Sequence, residues 1–324
     1  MAFRSLVTGK IRFGIVAGLI LLLFPRIATD HVSTVMLGFF GYALAVLGFN
    51  LLFGYTGLLS LGHSLFFAVG AYAVAFSMSS SIFSMELIIL ITLLVSGLMA
   101  ALVGAICVRY THIQFGILTF AFCMLFYSFL IKFYYVTGGE DGLRVLTPHL
   151  LGFHRSAVPK IQFLLREYYY YVLIVAGLAT WVMWRIVTSP FGLTLKAIRD
   201  NPVKAECLGI SIWKYRWFAF IIAGMYTALG GALLAPVVGH VDPTLAHWYQ
   251  SGNFIITTLL GGFTQFLGPV LGSLVFTYLQ DILMSILQYW RFFFGALLAF
   301  VVIVAPGGIM GAIDSLVKNK KGGE

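Results

Sequence analysis

The sequence predicts an all-α, polytopic bundle of transmembrane helices, a single domain over residues 1–324 with about eight to ten spans and short helices resting on one membrane face. Three observations predict it. Hydrophobic residues make up 60% of the chain and charged residues only 10%, where a soluble domain carries roughly 45–50% and about 25%. The mean hydropathy is +0.99 over the whole length, so lipid rather than water solvates most of the surface. Apolar runs of near-spanning length follow one another from end to end, near 12–29, 32–53, 58–78, 82–107, 113–136, 168–188, 213–238, 252–264, 269–290 and 292–310. Enzymes with a polar cleft, nucleic-acid binders and disordered scaffolds are disfavoured by the same numbers.

The first run follows Arg4, Lys10 and Arg12. The many spans behind it make it an uncleaved anchor rather than a signal peptide. The eighth, 252–264, is too short to cross at 1.5 Å per residue, and is read as a tilted span, a re-entrant helix or a broken helix. The net charge of +9, from 20 Lys and Arg against 11 Asp and Glu, reflects loops held on the cytoplasmic side, and no nucleic-acid partner is expected. Three regions carry most of the positive residues: the N-terminus, the C-terminus with Lys318, Lys320 and Lys321, and the segment with Lys196, Arg199, Lys204, Lys214 and Arg216. All three are placed inside, so both termini are expected to be cytoplasmic. Arg26, Arg144, Arg155, Lys160 and Arg166 fall outside, against the trend. Two sizeable loops remain, an outer one over 137–167 and an inner one over 189–212. Cys107, Cys123 and Cys207 are isolated and form no CxxC pair, and the histidines show no metal-ligand spacing, so neither a disulfide framework nor a metal site is expected. No catalytic constellation is present. One internal similarity stands out, between residues 51–59 and 259–267, which share a Leu pair, a Gly, an aromatic, a Thr and a Leu. It is open between a repeat and chance.

The inner loop has legible local physics. Pro190 suits a turn or a first helical position, and Leu193 to Arg199 is a good helix-forming stretch. Asn201-Pro202 breaks it. Asn201 or Asp200 then caps a second short helix from about Pro202 to Leu208, which Gly209 ends. Leu193, Leu195, Ala197 and Ile198 cannot all face water. The pair of helices is either resting on lipid headgroups or a docking surface for a cytoplasmic partner.

Ser189 to Gly192, Ala197 to Asn201, Ala205-Glu206 and Leu208 to Ile210 resemble the cytoplasmic coupling loop of permease subunits from branched-chain amino acid ABC importers, the LivM type. Three further stretches agree, in order along the chain. They are Gly54-Tyr55-Thr56-Gly57 with Leu59 to His63, Phe66-Phe67 and Gly70-Ala71-Tyr72; Thr137-Gly138-Gly139-Glu140-Asp141-Gly142; and Gly261-Gly262 with Leu267-Gly268-Pro269 to Gly272. Leu58-Leu59-Ser60 and the bulky Arg109 to Gly116 depart from the family pattern and leave the substrate open. The resemblance implies a pore subunit in the bacterial inner membrane, working with a second related permease subunit, two cytoplasmic ATPases that carry ATP and Mg, and a periplasmic binding protein. It implies ATPase coupling through Ser189, Pro190, Gly192, Arg199, Asp200, Asn201, Glu206 and Gly209. The chain has no GxxxxGK[ST] phosphate loop, and no cofactor of its own is expected.

Other candidates are weighed on chemistry. Glu140 and Asp141 lie between glycines in the outer loop, and either dock the binding protein or serve only the turn. Asp281, in the middle of the ninth run, is an expensive intramembrane carboxylate that lines a watery path or a subunit interface. Asn50, Ser60 and His63 adjoin small residues and serve either the substrate path or helix packing. The function expected is alternating-access uptake of branched-chain amino acids or related small polar solutes. Two alternatives are kept: an ion-gradient-driven transporter with Asp281 as the coupling carboxylate, and a passive channel for urea or small amides.

Overall fold

A computed structural model describes residues 21–22, 24–25, 28–79, 84–150, 160–286, 288–289, 292–296 and 307–311. In chain order the helices are α1 (Asp30–Asn50), continued by a π turn over Leu51–Thr56; α2 (Ser64–Ser79); α3 (Met85–Cys107); α4 (His112–Lys132); and the short α5 (Tyr134–Thr137). After strand β1 (Leu143–Arg144) come α6 (Lys160–Phe163), running through a π turn (Leu164–Tyr168) into α7 (Tyr169–Thr188), then α8 (Pro190–Asp200), α9 (Pro202–Cys207) and α10 (Ile212–Val238). Strand β2 (His240–Val241), a 3-10 turn over Pro243–Ala246, α11 (Trp248–Gly261) and α12 (Gly268–Ile286) follow.

The centre is built from the two helices that carry the most small residues. In α1 with its π turn and in α10, each 27 residues long, 89% and 72% of the most apolar stretch is buried, against 33% or less in the other spans. They run antiparallel with backbones almost touching. A Cβ on Gly41 would meet the Gly230 carbonyl oxygen at 2.8 Å, and one on Gly48 the Ala223 carbonyl oxygen at 2.7 Å. Thr227 Oγ1 donates across the seam to the Ala45 carbonyl at 3.3 Å. In lipid no hydrophobic force draws helices together, so this close approach supplies the attraction. The outer helices show the complementary pattern. On α3, Leu90, Leu94, Leu98 and Leu102 recur every fourth residue and are exposed, while Ile88, Thr92, Ser96 and Ala100 on the opposite face are buried.

Each central helix ends on a glycine in the left-handed conformation, Gly57 (φ 74°) and Gly239 (φ 76°), and the chain then turns back into the bundle. Residues 57–63 climb beside α4, where the Leu61 amide donates to Thr119 Oγ1 at 3.2 Å. From there α2 starts at Ser64, beside Cys123 in the middle of α4. After Gly239 the chain pairs β2 with β1, then drops to the same depth, where Cys123 Sγ donates to the Ala246 carbonyl at 3.0 Å. The two re-entrant segments meet there. The Ser64 amide donates to Ser251 Oγ at 2.8 Å, and Ser251 Oγ donates to Ser64 Oγ at 2.9 Å. From this junction α2 and α11 leave towards opposite faces.

The two helix-and-return units are arranged as an inverted pair and share the spacing Leu47-Gly48-x-x-Leu51-Leu52-x4-Gly57 against Leu229-Gly230-x-x-Leu233-Leu234-x4-Gly239. The similarity noted between 51–59 and 259–267 is not in that register. Those stretches do meet, with the Phe53 and Phe263 rings 5.3 Å apart, because α1 and α11 both end near one face.

Six described helices are long and apolar enough to span, with the shorter Ser64–Met78 beside them. The expected third run loses residues 58–63 to the re-entrant turn. The eighth does not cross, because α11 begins at the mid-depth junction. The fifth stops at Lys132, and the sixth starts earlier, at Lys160. Most of the first run and most of the tenth lie outside the described residues. At the end of the first, the Leu21 carbonyl accepts from Tyr169 Oη at 3.0 Å.

Candidate functional site

One end of the bundle gathers Gly57, the 108–111 link, α8, α9 and the start of α10. Residue 189 opens this surface. Ser189 is extended (φ −75°, ψ 167°) and its hydroxyl donates back to the Ile186 carbonyl at 2.6 Å. Pro190 then takes the first helical position, where its missing N–H costs nothing. A Cβ on Gly192 would run into the Val187 backbone, so the turn from α7 into α8 is as tight as glycine permits. Leu195 and Ile198 bury themselves under α8. Asn201 Oδ1 accepts from the Lys204 amide at 3.0 Å and caps α9. Gly209 (φ 80°) ends it, with the Ile210 amide reaching back to the Ala205 carbonyl at 3.2 Å. The result is two short surface helices, rigidly punctuated, as the sequence predicts. Their outer surface is apolar at its high points: Leu193, Val203 and Leu208 are 60%, 68% and 80% exposed. Asp200 and Glu206 stand exposed beside them.

Arg199 does something the sequence does not announce. Its Nη1 donates to the Gly54 carbonyl at 2.5 Å, while Nε and Nη2 donate to Asp200 Oδ1 at 3.0 and 2.9 Å. The guanidinium is turned inward onto the π turn of α1. Lys196, one helical turn earlier, places its ammonium 5.1 Å from the Tyr55 ring centroid, a cation–π contact. Gly54, Tyr55 and Lys196 were not singled out as functional residues from sequence; the usable signal was the i, i+3 spacing of two cations on a helix with one buried face. A cavity of about 170 Å3 lies alongside, lined by Thr56, Gly57, Thr111, Arg199 and Arg216 among others.

The remaining candidates fall in three places. Asn50, Ser60 and His63 are all buried near the re-entrant turn. Asn50 Oδ1 and Ser60 Oγ have no hydrogen-bond partner among the described residues. The His63 ring is caged by Phe49, Phe66 and Phe220, and the Ala223 carbonyl faces it without a well-formed hydrogen bond. None of the three lines either that 170 Å3 cavity or the large one. The large cavity, about 1140 Å3, lies instead on the flank between α1, α7 and the start of α12, and its wall is mostly apolar, with Phe40, Leu173, Trp181 and Val270. Asp281 is not with them. It sits towards the far end of α12 and accepts from or pairs with His31 Nε2 at 3.0 Å, both side chains at least a third exposed. Position in a hydropathy run placed it at mid-membrane; the run is longer than the helix, and the helix tail carries Asp281 to the bundle end.

Glu140 and Asp141 are exposed at that same end, on a 3-10 turn held by Gly138, Gly139 and Gly142, all with positive φ. Thr137 pins the turn, its hydroxyl donating to the Phe133 carbonyl at 2.9 Å. Tyr134 Oη donates to Asp141 Oδ2 at 3.0 Å, and that acceptor pushes the phenol's pKa up.

Comparison with known proteins agrees with this architecture. Residues 31–302 match the family described as "Branched-chain amino acid transport system / permease component". The high-affinity branched-chain amino acid transport system permease protein LivM of Escherichia coli is 24% identical over 302 residues, covering 87% of this chain and 70% of LivM. A galactose/methyl galactoside import permease, MglC of Haemophilus influenzae, is 24% identical over 72% of this chain and 68% of its own length. The nucleoside ABC transporter permease NupC of Lactococcus lactis is 31% identical over 31% of this chain and 27% of its own length. No solved structure matches. A chain with six span-length helices, matched over most of its length by this family, is a multi-pass inner-membrane ABC transporter permease and belongs to the branched-chain amino acid transport system permease family.

Proposed function

We propose that the chain is one pore subunit of an ATP-driven importer for small polar solutes, and that α8 and α9 are the seat of its ATPases. The observation that carries this is the surface built by Leu193, Val203 and Leu208. Three large apolar side chains project from helices whose other face is locked to the bundle, with both carboxylates and cations at the rim, which is the make-up of a protein interface. The positive residues of 189–216 put this end in the cytoplasm, and the N- and C-termini with it. The ATPases bring ATP and Mg; this chain supplies the handle they grip. The opposite end, with Glu140, Asp141 and the exposed Tyr135, faces the binding protein.

Substrate moves between this chain and a second, related permease subunit. Asn50, Ser60 and His63 are buried and line neither the 170 nor the 1140 Å3 cavity, which favours a route between subunits over one through this chain. Branched-chain amino acids are the substrates we favour, on the LivM match, with nucleosides and sugars of the other relatives as the alternatives. A gradient-driven mechanism is disfavoured because Asp281 pairs with His31 at a partly exposed site.

The test is capture of the cognate ATPase on the purified permease. Val203→Glu with Leu208→Glu should abolish capture and ATP-dependent uptake while insertion stays normal. Capture that survives both substitutions sinks the assignment of this surface. Uptake in vesicles that runs without ATP, on an ion gradient or downhill, sinks the importer reading itself.

A further inference from the structure

The last turn of a helix leaves carbonyl groups without intrahelical donors. α1 ends in the π turn Leu51–Thr56, and Gly57 reverses the chain at once. The Gly54 carbonyl at this end is taken by Arg199 from the coupling helix. A cation at a helix C-terminus is favoured by the helix dipole as well as by the hydrogen bond. Three features make the contact more than a cap. Asp200 accepts from Nε and Nη2 and so fixes the guanidinium plane. Lys196 adds a second attachment on the Tyr55 ring. Gly57 has no side chain where one would sit 2.9 Å from Arg199 Cγ, so the arginine stem lies flat across the turn.

We infer that Arg199 is a positioning residue that fastens the coupling helix to the end of α1, so that α8 and the 54–57 turn move as one body. This rests on the importer reading above and goes further: Arg199 acts inward, on the permease's own central helix, and not as a contact to the ATPase. Motion delivered to α8 reaches the re-entrant segment 57–63 directly, because that segment begins at the clamped turn. Ser60 and His63 lie on it.

The experiment is made on the full transporter in membranes. Arg199→Gln removes the guanidinium with its three donating nitrogens, keeping a polar but shorter side chain that no longer reaches Gly54 and Asp200 together. The ATPase should still be captured and should still hydrolyse ATP, but solute moved per ATP hydrolysed should fall about tenfold or more, the scale of a typical coupling energy. Arg199→Lys should fall between, since an ammonium reaches one acceptor and lacks the planar fork. A ratio in Arg199→Gln within about twofold of the unmodified protein overturns the inference, and so does loss of ATPase capture, which would make Arg199 the outward contact. If Arg199→Gln does not reach the membrane, cysteines at 57 and 199 in a Cys207→Ser background decide. A Cβ on Gly57 would lie 3.7 Å from Arg199 Cβ, within the span a disulfide bridges. Oxidation should join them and raise solute moved per ATP above the reduced form; no cross-link, or no gain, overturns the clamp. Should the unmodified protein capture no ATPase and take up nothing on ATP, the importer reading fails, whatever Arg199 does.

Discussion

The two long central helices end alike and are anchored differently. Both stop on a left-handed glycine, both turn back to mid-depth, and both have a cation over the glycine: Arg199 over Gly57 and Lys160 at Gly239. At Gly57 the neighbour is the arginine stem, its Cγ 2.9 Å from a Cβ position and its head fixed by Asp200 and Gly54. At Gly239 it is the ammonium end of a lysine, which swings aside at little cost. The same backbone device is thus used twice and held differently: at Gly57 by the side-chain clamp from α8, and at Gly239 by backbone bonds, with the Val145 amide donating to the Gly239 carbonyl at 3.0 Å beside the β1–β2 pair. An inverted fold is made directional by what grips its two ends.

The comparison assumes that α1 and α10 stay locked together, and the largest effect should come from parting them. Gly48→Leu would drive a side chain into the Ala223 carbonyl and Tyr226. Overpacking a closed seam costs about 1–3 kcal/mol or more. Loss of the folded, detergent-stable protein by size-exclusion chromatography is expected. A stable, monodisperse Gly48→Leu would show the seam to be looser than drawn.

The next effect separates the two ends. Alanine at either left-handed position pays about 1–2 kcal/mol in backbone strain. At Gly57 it also meets the arginine stem, whose head is held; at Gly239 it meets the movable ammonium end of Lys160. Gly57→Ala should therefore cut uptake several-fold more than Gly239→Ala and should also lower the melting temperature further. Equal losses of uptake would mean that the attachment at Gly57 is no stiffer than that at Gly239.

A smaller effect belongs to the junction both ends share. Ser251→Ala removes the acceptor of the Ser64 amide, buried at mid-depth. About 1–3 kcal/mol is the scale for stranding one buried donor. A fall in melting temperature of a few degrees is expected, and none would mean that the Ser64 amide finds another acceptor.

Much of this was legible beforehand, for local reasons. The two surface helices α8 and α9 announce themselves through Pro190, Asn201-Pro202 and Gly209, because N-terminal prolines, an Asx cap and a left-handed glycine act over a few residues. The exposed glycine turn around Glu140 and Asp141 was legible for the same reason. What hydropathy could not give is depth. Residues 58–63 and 239–247 read as more apolar chain or as loop, and their return to mid-membrane depends on contacts with Thr119, Cys123 and Ser251 far away in sequence. The inward turn of Arg199 was hidden likewise, since its acceptor is a backbone carbonyl that no side chain marks. The Leu-Gly spacing shared by the ends of α1 and α10 is sparse, and in a chain this rich in Leu and Gly it stands out less than the similarity between 51–59 and 259–267.

Asp281 shows how such a misplacement changes the chemistry assigned. At mid-membrane a carboxylate is costly and implies ion coupling or a watery path. At the end of α12, partly exposed and beside His31 of α1, it is an ordinary interfacial pair, of the kind worth about 0–1 kcal/mol. Neutralising it should then be nearly silent. Asp281→Asn should leave the initial rate of uptake within about twofold, should leave ATP dependence intact, and should shift the melting temperature by no more than a degree or two. Uptake assayed with and without an imposed proton gradient gives the sharpest reading, because a coupling carboxylate would make that pair of rates collapse together on neutralisation. A large loss confined to the gradient-driven rate would restore Asp281 as a working group and remove the contrast between a mechanically active 54–57 turn and a structurally quiet opposite end.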